Sequence, residues 1–407
     1  MSRALLRTAA LPAAAGSLAS LLAQALTALF LLGLFEPQAV GVFSVIAQVA
    51  FGWATVALAQ SPVSLLANQH LPALPAARLA LQSSLRRWLW LAPAAALAVS
   101  WAGRGGQSWL AALAWASALA LMQMGWLLAQ SLSLRIHAPM SIAVVRMLPP
   151  VLAAMLTGML ALGLDWRSSD ALTTAALAGY AAGALWLMPA LQSAPAPSHS
   201  VAAVLTDGRS ERLKFIHTLS DVAVATALAA HWSLIYGAAQ AGALLIVLRV
   251  MGFIPALLST AWAQVVLSRP LAQQPSSLLP ALAGAGAVLA AGLLMALALQ
   301  TGWLSQNWAP LRQCLWPLVL WQTGACLIAA VSHRPFQGAR AVAYSRQCLA
   351  INAAQALLLL LPPLLGISLQ THLWALAGFM FIALSLQALW AARLPMGASA
   401  PTNRSTP

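Results

Sequence analysis

The sequence predicts an all-α polytopic membrane protein of about 12 transmembrane helices, built as two six-helix bundles with both termini in the cytoplasm. Its composition comes first. Of 407 residues, 61% are hydrophobic and only 6% are charged, too few polar groups to keep so large a fold in water. The second observation is the alternation of basic residues between successive junctions of the apolar segments. The third is a similarity between the two halves at a nearly constant offset.

The basic residues set the orientation. Threading the apolar segments as spans puts Arg3, Arg7, Arg78, Arg86, Arg87, Arg135, Arg146, Arg209, Arg212, Lys214, Arg269, Arg334, Arg340, Arg346, Arg393 and Arg404 on one side. The other side receives Arg104, Arg167 and Arg312, while Arg249 stays inside a span. Positively charged loops remain in the cytoplasm, so the crowded side is expected to be cytoplasmic. The net charge of +14 is spread over short loops, with no basic helix or aromatic-interleaved stripe for nucleic acid. It reads as topology and as attraction to anionic lipid headgroups.

An apolar helix needs about 20 residues to cross a bilayer, and twelve segments meet that need. The first six lie near 9–35, 39–66, 85–103, 108–132, 142–164 and 171–191. The second six lie near 215–235, 239–267, 278–304, 311–331, 349–369 and 373–392. Arg3 and Arg7 ahead of an apolar run imitate a secretory signal, but the run continues to Phe35, and it is expected to be the first span. The third segment is short and bracketed by Arg87 and Arg104. Treating it as re-entrant would reverse every later loop and abolish the charge asymmetry, so it is kept as a span.

The expected domains are an N-terminal bundle at 1–191, a cytoplasmic linker at 192–212, a C-terminal bundle at 213–392 and a disordered tail at 393–407. The linker carries Pro195, Pro197, Ser198, Ser200, Asp207, Gly208 and Glu211. Phe35 to Gly41 is echoed 201 positions later by Tyr236 to Gly242. Ser133-Leu134-Arg135 followed by Arg146 is echoed by Ser332-His333-Arg334 followed by Arg346. Such offsets suggest a duplicated unit with an axis along the membrane normal.

Ionisable residues in a span cost about 2.5–3.5 kcal/mol each and tend to face a cavity or a partner. Arg249 lies deep in the eighth span, either as a structural arginine bonded to helix-end carbonyls or as an anion contact in a central cavity. His217, Asp221 and His231 share an arc of about 80° on the seventh. Asp221 either pairs with Arg249 or takes up protons with His217. Ser17, Ser20, Gln24 and Thr27 form a similar arc on the first span, and Ser44, Gln48, Gly52 and Thr55 on the second. These arcs are either interhelical glue or the walls of one water-accessible cavity. The repeat offset places Asp221 opposite Ser20 and Arg249 opposite Gln48.

The sequence has no His-Glu-x-x-His, no Gly-x-Ser-x-Gly and no phosphate-binding loop. Six acidic residues leave little for acid–base catalysis or a metal, so neither an enzyme nor a cofactor is expected. Cys314, Cys326 and Cys348 are isolated and lack metal-ligand spacing.

Phe35-Glu36-Pro37-Gln38-Ala39-Val40-Gly41-Val42-Phe43, with Gln24 before it, resembles an aromatic-x-Pro-x-x-aliphatic-Gly-x-aromatic element of the bacterial polysaccharide-biosynthesis membrane proteins. These are the oligosaccharide-lipid flippases of the multidrug/oligosaccharidyl-lipid/polysaccharide (MOP) exporter superfamily. Tyr236 to Gly242, followed by Arg249-Val250-Met251-Gly252-Phe253-Ile254-Pro255, is similar to the second copy of that element, and the Arg135 to Arg146 loop to the family's basic connector. The resemblance implies two six-helix bundles in a MATE-like V shape, opening alternately to either side of the bacterial inner membrane. It implies a polyprenyl-pyrophosphate-linked glycan as cargo, membrane lipid as surroundings and other polysaccharide-assembly proteins as partners. Arg249 would contact phosphate, while Gln24 and Gln48 would offer amides to sugar hydroxyls. The alternatives are a cation-coupled multidrug exporter of the same superfamily and a membrane-embedded glycan polymerase or acyltransferase.

Overall fold

A computed structural model describes residues 3–59, 61–67, 72–102, 108–136, 139–192, 209–262, 266, 275–337 and 340–394. Among them every regular element is helical. The α-helices are α1 (Arg3–Leu34), α2 (Pro37–Leu58), α3 (Ser61–Ala67), α4 (Ala73–Trp101), α5 (Trp109–Arg135), α6 (Pro139–Gly163), α7 (Ser169–Leu185) and α8 (Met188–Gln192). They continue with α9 (Arg209–Tyr236), α10 (Ala238–Leu257), α11 (Leu278–Gln300), α12 (Leu311–Ala329), α13 (Arg334–Gln337), α14 (Ala341–Leu364) and α15 (Leu369–Ala392). A long helix occupies each of the twelve expected segments. Eight helices among the described residues are long and apolar enough to cross a membrane, α2, α5, α6, α9, α10, α11, α14 and α15.

Several boundaries differ from those expected. Segment 39–66 breaks at Ala59, whose φ of 50° ends α2 before the short α3. Helix α4 starts at Ala73, twelve residues before the expected span, so Arg78 stands on a helix and not in a loop. It runs continuously from Ala73 to Trp101 and is not among the eight helices long and apolar enough to cross. Within segment 239–267 the α-helix stops at Leu257, just past Pro255, and passes into a π turn over Leu258–Trp262. A proline in a helix removes a hydrogen bond and clashes with the preceding turn. The expected linker falls largely outside the described residues, and the expected tail lies outside them from residue 395.

Helix ends follow a rule of their own. Ser108, Ser168 and Ser368 cap the starts of α5, α7 and α15, each hydroxyl accepting the backbone N–H three residues on. Arginines close several helix C-termini. Arg87 donates to the Ala57 and Leu58 carbonyls that end α2, at 2.6 and 3.2 Å. Arg135 reaches the Leu65 carbonyl of α3 at 2.9 Å, Arg312 the Leu299 carbonyl of α11 at 3.4 Å and Arg334 the Ala392 carbonyl of α15 at 2.6 Å. Each guanidinium satisfies carbonyls that have no partner within their own helix and meets the negative end of the helix dipole.

The packing divides into two compact units, Met1–Gly242 and Ala243–Pro407. In the first, the core is built from Ile46, Val49, Trp53 and Ala57 of α2, Ala76, Ala77 and Ala80 of α4, and Leu119, Met124 and Leu128 of α5. Trp53 stacks on Trp88 at 5.0 Å and donates its indole N–H to the Trp88 carbonyl at 2.8 Å. Helix α9, assigned by sequence to the second bundle, packs in this first unit on α2 and α4. In the second unit α12 packs on α11 and α15, with Gly292 against Val319 and Gly324 against the Phe381 backbone. His372 of α15 is fully buried, and its Nε2 lies 2.8 Å from the Leu358 carbonyl of α14.

Candidate functional site

The two elements related by the 201-residue offset meet in the first unit. A Cβ added to Gly41 would fall on the Ala238 carbonyl oxygen, and one added to Gly242 would fall on the Pro37 carbonyl oxygen. Pro37 and Ala238 are themselves 201 positions apart, so the contact is reciprocal. Gly237, at φ +86°, supplies the left-handed turn between α9 and α10 that delivers this approach. The glycines thus hold the first turns of α2 and α10 at backbone distance.

The polar residues lie on the helices so fixed. On α9, His217 Nε2 stands 3.3 Å from Asp221 Oδ2, one helical turn on. The Asp221 side chain is 51% exposed, so the pair is solvated and its net stabilisation small. His231, on the same stripe, is 7% exposed, and neither ring nitrogen has a hydrogen-bond partner. Its ring packs against Trp101 of α4, centroids 5.7 Å apart. On α1, which packs along α6, the Gln24 amide donates to the Ser20 hydroxyl at 3.0 Å. Ser44 and Gln48 are half-buried on α2. Arg249 is half-buried on α10 in the second unit.

The structure therefore joins Ser20 to Gln24 and His217 to Asp221, and sets Gln48 on a helix that packs against the one bearing Asp221. Beside these polar arcs lies an element absent from the sequence reading. Between α2, α4 and α9 runs a crevice of ≈ 260 Å³, lined among others by Gly52, Trp53, Ala98, Trp101, Ala223 and Thr226. Gly52 makes it possible, since a Cβ there would stand 2.7 Å from Val222 Cγ1 and 2.9 Å from the Thr226 hydroxyl oxygen. The signal was present as alanines four residues apart, at Ala94 and Ala98 and at Ala223 and Ala227. In a chain this rich in alanine the spacing does not stand out. Among the described residues no three His, Cys, Asp or Glu side chains group as metal ligands.

No family model matches the sequence, and no curated protein matches it. Solved structures do. The chain aligns over 91% of its length, and 93% of the other's, with an inward-facing multidrug resistance MATE family transporter of the MOP superfamily, at TM-score 0.52 and 13% identity. The fold is that of the MATE transporters. A second structure with the MATE fold, a MOP superfamily transporter from Pyrococcus furiosus Vc1 described as having a binding pocket of reverse polarity, aligns over 95% of this chain and 94% of its own. Its TM-score is 0.50 at 13% identity. A MATE structure in complex with MaL6 aligns over 95% of both chains, also at TM-score 0.50, with 14% identity. At such identities the likeness is one of fold, and it makes this chain an all-α, multi-pass membrane protein.

Proposed function

We propose that the protein is a flippase that moves a polyprenyl-pyrophosphate-linked oligosaccharide or polysaccharide precursor across the bacterial inner membrane by alternating access. The MATE fold supports the broader reading, a membrane transporter and not an enzyme. The observation that carries the narrower one is the balance of ionisable groups inside the spans. Arg249 is a cation in mid-helix, and the intramembrane acid, Asp221, already has the His217 imidazole beside it. A pyrophosphate needs cations to lower the cost of entering a medium of low dielectric, whereas a cationic drug needs an anionic lumen. In the Pyrococcus furiosus neighbour, reversed pocket polarity is what suggests a different function. The amides of Gln24 and Gln48 and the hydroxyl of Ser20 supply uncharged partners suited to sugar hydroxyls. His231 and the Asp221–His217 pair line the same stripe of α9 and would bound the polar path.

The test is the accumulation of lipid-linked glycan on the cytoplasmic leaflet of a deletion strain, with wild-type, Arg249→Ala and Asp221→Ala compared at equal membrane expression. Accumulation that the wild type clears and Arg249→Ala does not is the expected result. Unchanged glycan lipids with raised sensitivity to cationic drugs would replace this reading with that of a cation-coupled multidrug exporter.

A further inference from the structure

The second unit, residues 243–407, holds eight arginines and not one aspartate or glutamate. Three of those arginines share a corner at the end of the helices that the basic residues place in the cytoplasm. Arg334 Nη1 donates to the Ala392 carbonyl at 2.6 Å, and the next residue, Arg393, caps α15. Arg340 caps the start of α14, and its backbone N–H donates to the carbonyl of Pro335, beside Arg334, at 2.9 Å. Tyr344 of α14 and Trp390 of α15 pack on one apolar cluster with Ile328, Val331, Ala388 and Ala391. That cluster fixes the start of α14 against the end of α15. Arg340 and Arg393 are exposed, and Arg346, also exposed, stands about 9 Å further along α14.

Like charges gathered in this way call for a counter-charge, and the chain has none to spare. Of its six acids, Asp165 pairs with Arg167 and Asp221 with His217, while Asp170 accepts the Trp115 indole N–H at 3.1 Å. Glu36 lies in the first interhelical junction, on the other side of the membrane by the same threading. Asp207 and Glu211 stand in sequence beside Arg209, Arg212 and Lys214. The surface that continues from the corner is apolar. Ile382, Leu386, Leu389 and Arg393 recur at helical spacing on one face of α15, and the three apolar side chains are each more than half exposed. A soluble anion gains nothing from that stripe, whereas a lipid covers it with an acyl chain while its phosphate meets the arginines. The planar guanidinium suits phosphate because it donates two parallel hydrogen bonds. We infer that the corner of Arg334, Arg340 and Arg393 binds the headgroup of an anionic phospholipid, with an acyl chain along Ile382, Leu386 and Leu389. The bound lipid ties the start of α14 to the end of α15, whatever cargo the transporter carries.

The experiment is native mass spectrometry of the full chain released from detergent, titrated with phosphatidylglycerol, cardiolipin or phosphatidylethanolamine carrying the same acyl chains. The expected result is one site that holds phosphatidylglycerol or cardiolipin about tenfold or more tightly than phosphatidylethanolamine, with a matching rise in unfolding temperature. Arg340→Gln with Arg393→Gln is expected to cut that affinity about tenfold or more, and Arg340→Gln alone about fivefold. Both residues are exposed, so the lipid-free unfolding temperature is expected to stay where it is. Arg86→Gln with Arg167→Gln removes two exposed charges elsewhere and is expected to leave the affinity unchanged. Equal retention of phosphatidylethanolamine would overturn the assignment. An equal loss in the Arg86 and Arg167 pair would overturn it in favour of diffuse surface charge. Displacement of the lipid by inorganic pyrophosphate would overturn it in favour of a free-anion site.

Discussion

Gly41 and Gly242 face one another across a single helix crossing, each occupying the place where a side chain would collide with the other segment's backbone. A Cβ on Gly41 would stand 3.0 Å from the Gly242 nitrogen, and one on Gly242 would stand 2.9 Å from the Gly41 nitrogen. Backbone cannot rotate away as a side chain can, so Gly41→Ala and Gly242→Ala are each expected to cost about 1–3 kcal/mol by overpacking. Because both enlarge one contact, the double variant is expected to lose less than the sum. Thermal unfolding of the four proteins in detergent checks both statements.

Arg87 closes the C-terminus of α2 with two carbonyl contacts and a third to the Ser61 hydroxyl at 3.1 Å. Losing hydrogen bonds from a charged donor to carbonyls of the buried Ala57 and Leu58 costs about 1.5–3 kcal/mol. Arg87→Ala is expected to lower the unfolding temperature accordingly. Arg87→Lys restores little, since a point charge cannot span acceptors that the planar guanidinium bridges. The comparison of the two variants separates the fork geometry from the charge.

His333 lies outside the spanning helices, and burial, followed by the neighbouring Arg334 charge, holds its imidazole below the ordinary value of 6.5. The unfolded chain then binds a proton that the folded chain does not, so stability rises with pH. The contribution is fully present above the unfolded value and is lost as the pH falls through the folded one, with a slope of at most about 1.4 kcal/mol per pH unit. His333→Gln is expected to flatten the melting temperature below pH 7. Arg334→Ala is expected to lower it at every pH, through the lost contact to Ala392, while leaving most of the slope.

Arg249→Lys keeps the charge and is expected to retain measurable clearance of lipid-linked glycan, whereas Arg249→Ala is expected to lose about tenfold or more. That figure corresponds to one charge-assisted contact of about 1.5 kcal/mol. Rates of glycan appearance on the outer leaflet, at matched expression, check the order wild type, Lys, Ala.

Orientation is testable at two exposed residues. Cysteine introduced at Glu36, in the first interhelical junction, is expected to react with a membrane-impermeant maleimide in intact spheroplasts. Cysteine at Arg340 is expected to react only after lysis. Cys314 and Cys326 are buried, which keeps their background low. The reverse pattern would invert the topology read from the basic residues.

Most of the helical content was legible because span length and apolar composition are local properties. All twelve segments became helices, and the Gly41 and Gly242 elements named from their offset turned out to touch. Other features depend on residues far apart in sequence. Arg87 reads in the sequence as a charge that orients the third segment, yet it also holds the end of α2, some 29 positions upstream. Nothing near Arg87 in the sequence announces Leu58. The α2–α4–α9 groove was hidden for the opposite reason, since its alanines are too common to carry information. The His217–Asp221 contact was within reach of helical spacing alone, and Trp101 beside His231 was not.

The placement of α9 has a consequence for the order of assembly in a living cell. The first unit is complete only when α9 lies on α2 and α4, yet about 150 residues of chain separate the end of α2 from the start of α9. At synthesis rates of about 5–20 residues per second, the partners already inserted wait on the order of 10–30 s. During that interval Gly52 and the small residues of α4 face lipid with their seat for α9 vacant, and Gly41 lacks the first turn of α10. Closure by α9 and by the first turn of α10 then comes late, as a long-range step, and lipid must leave the seat before the helix can take it.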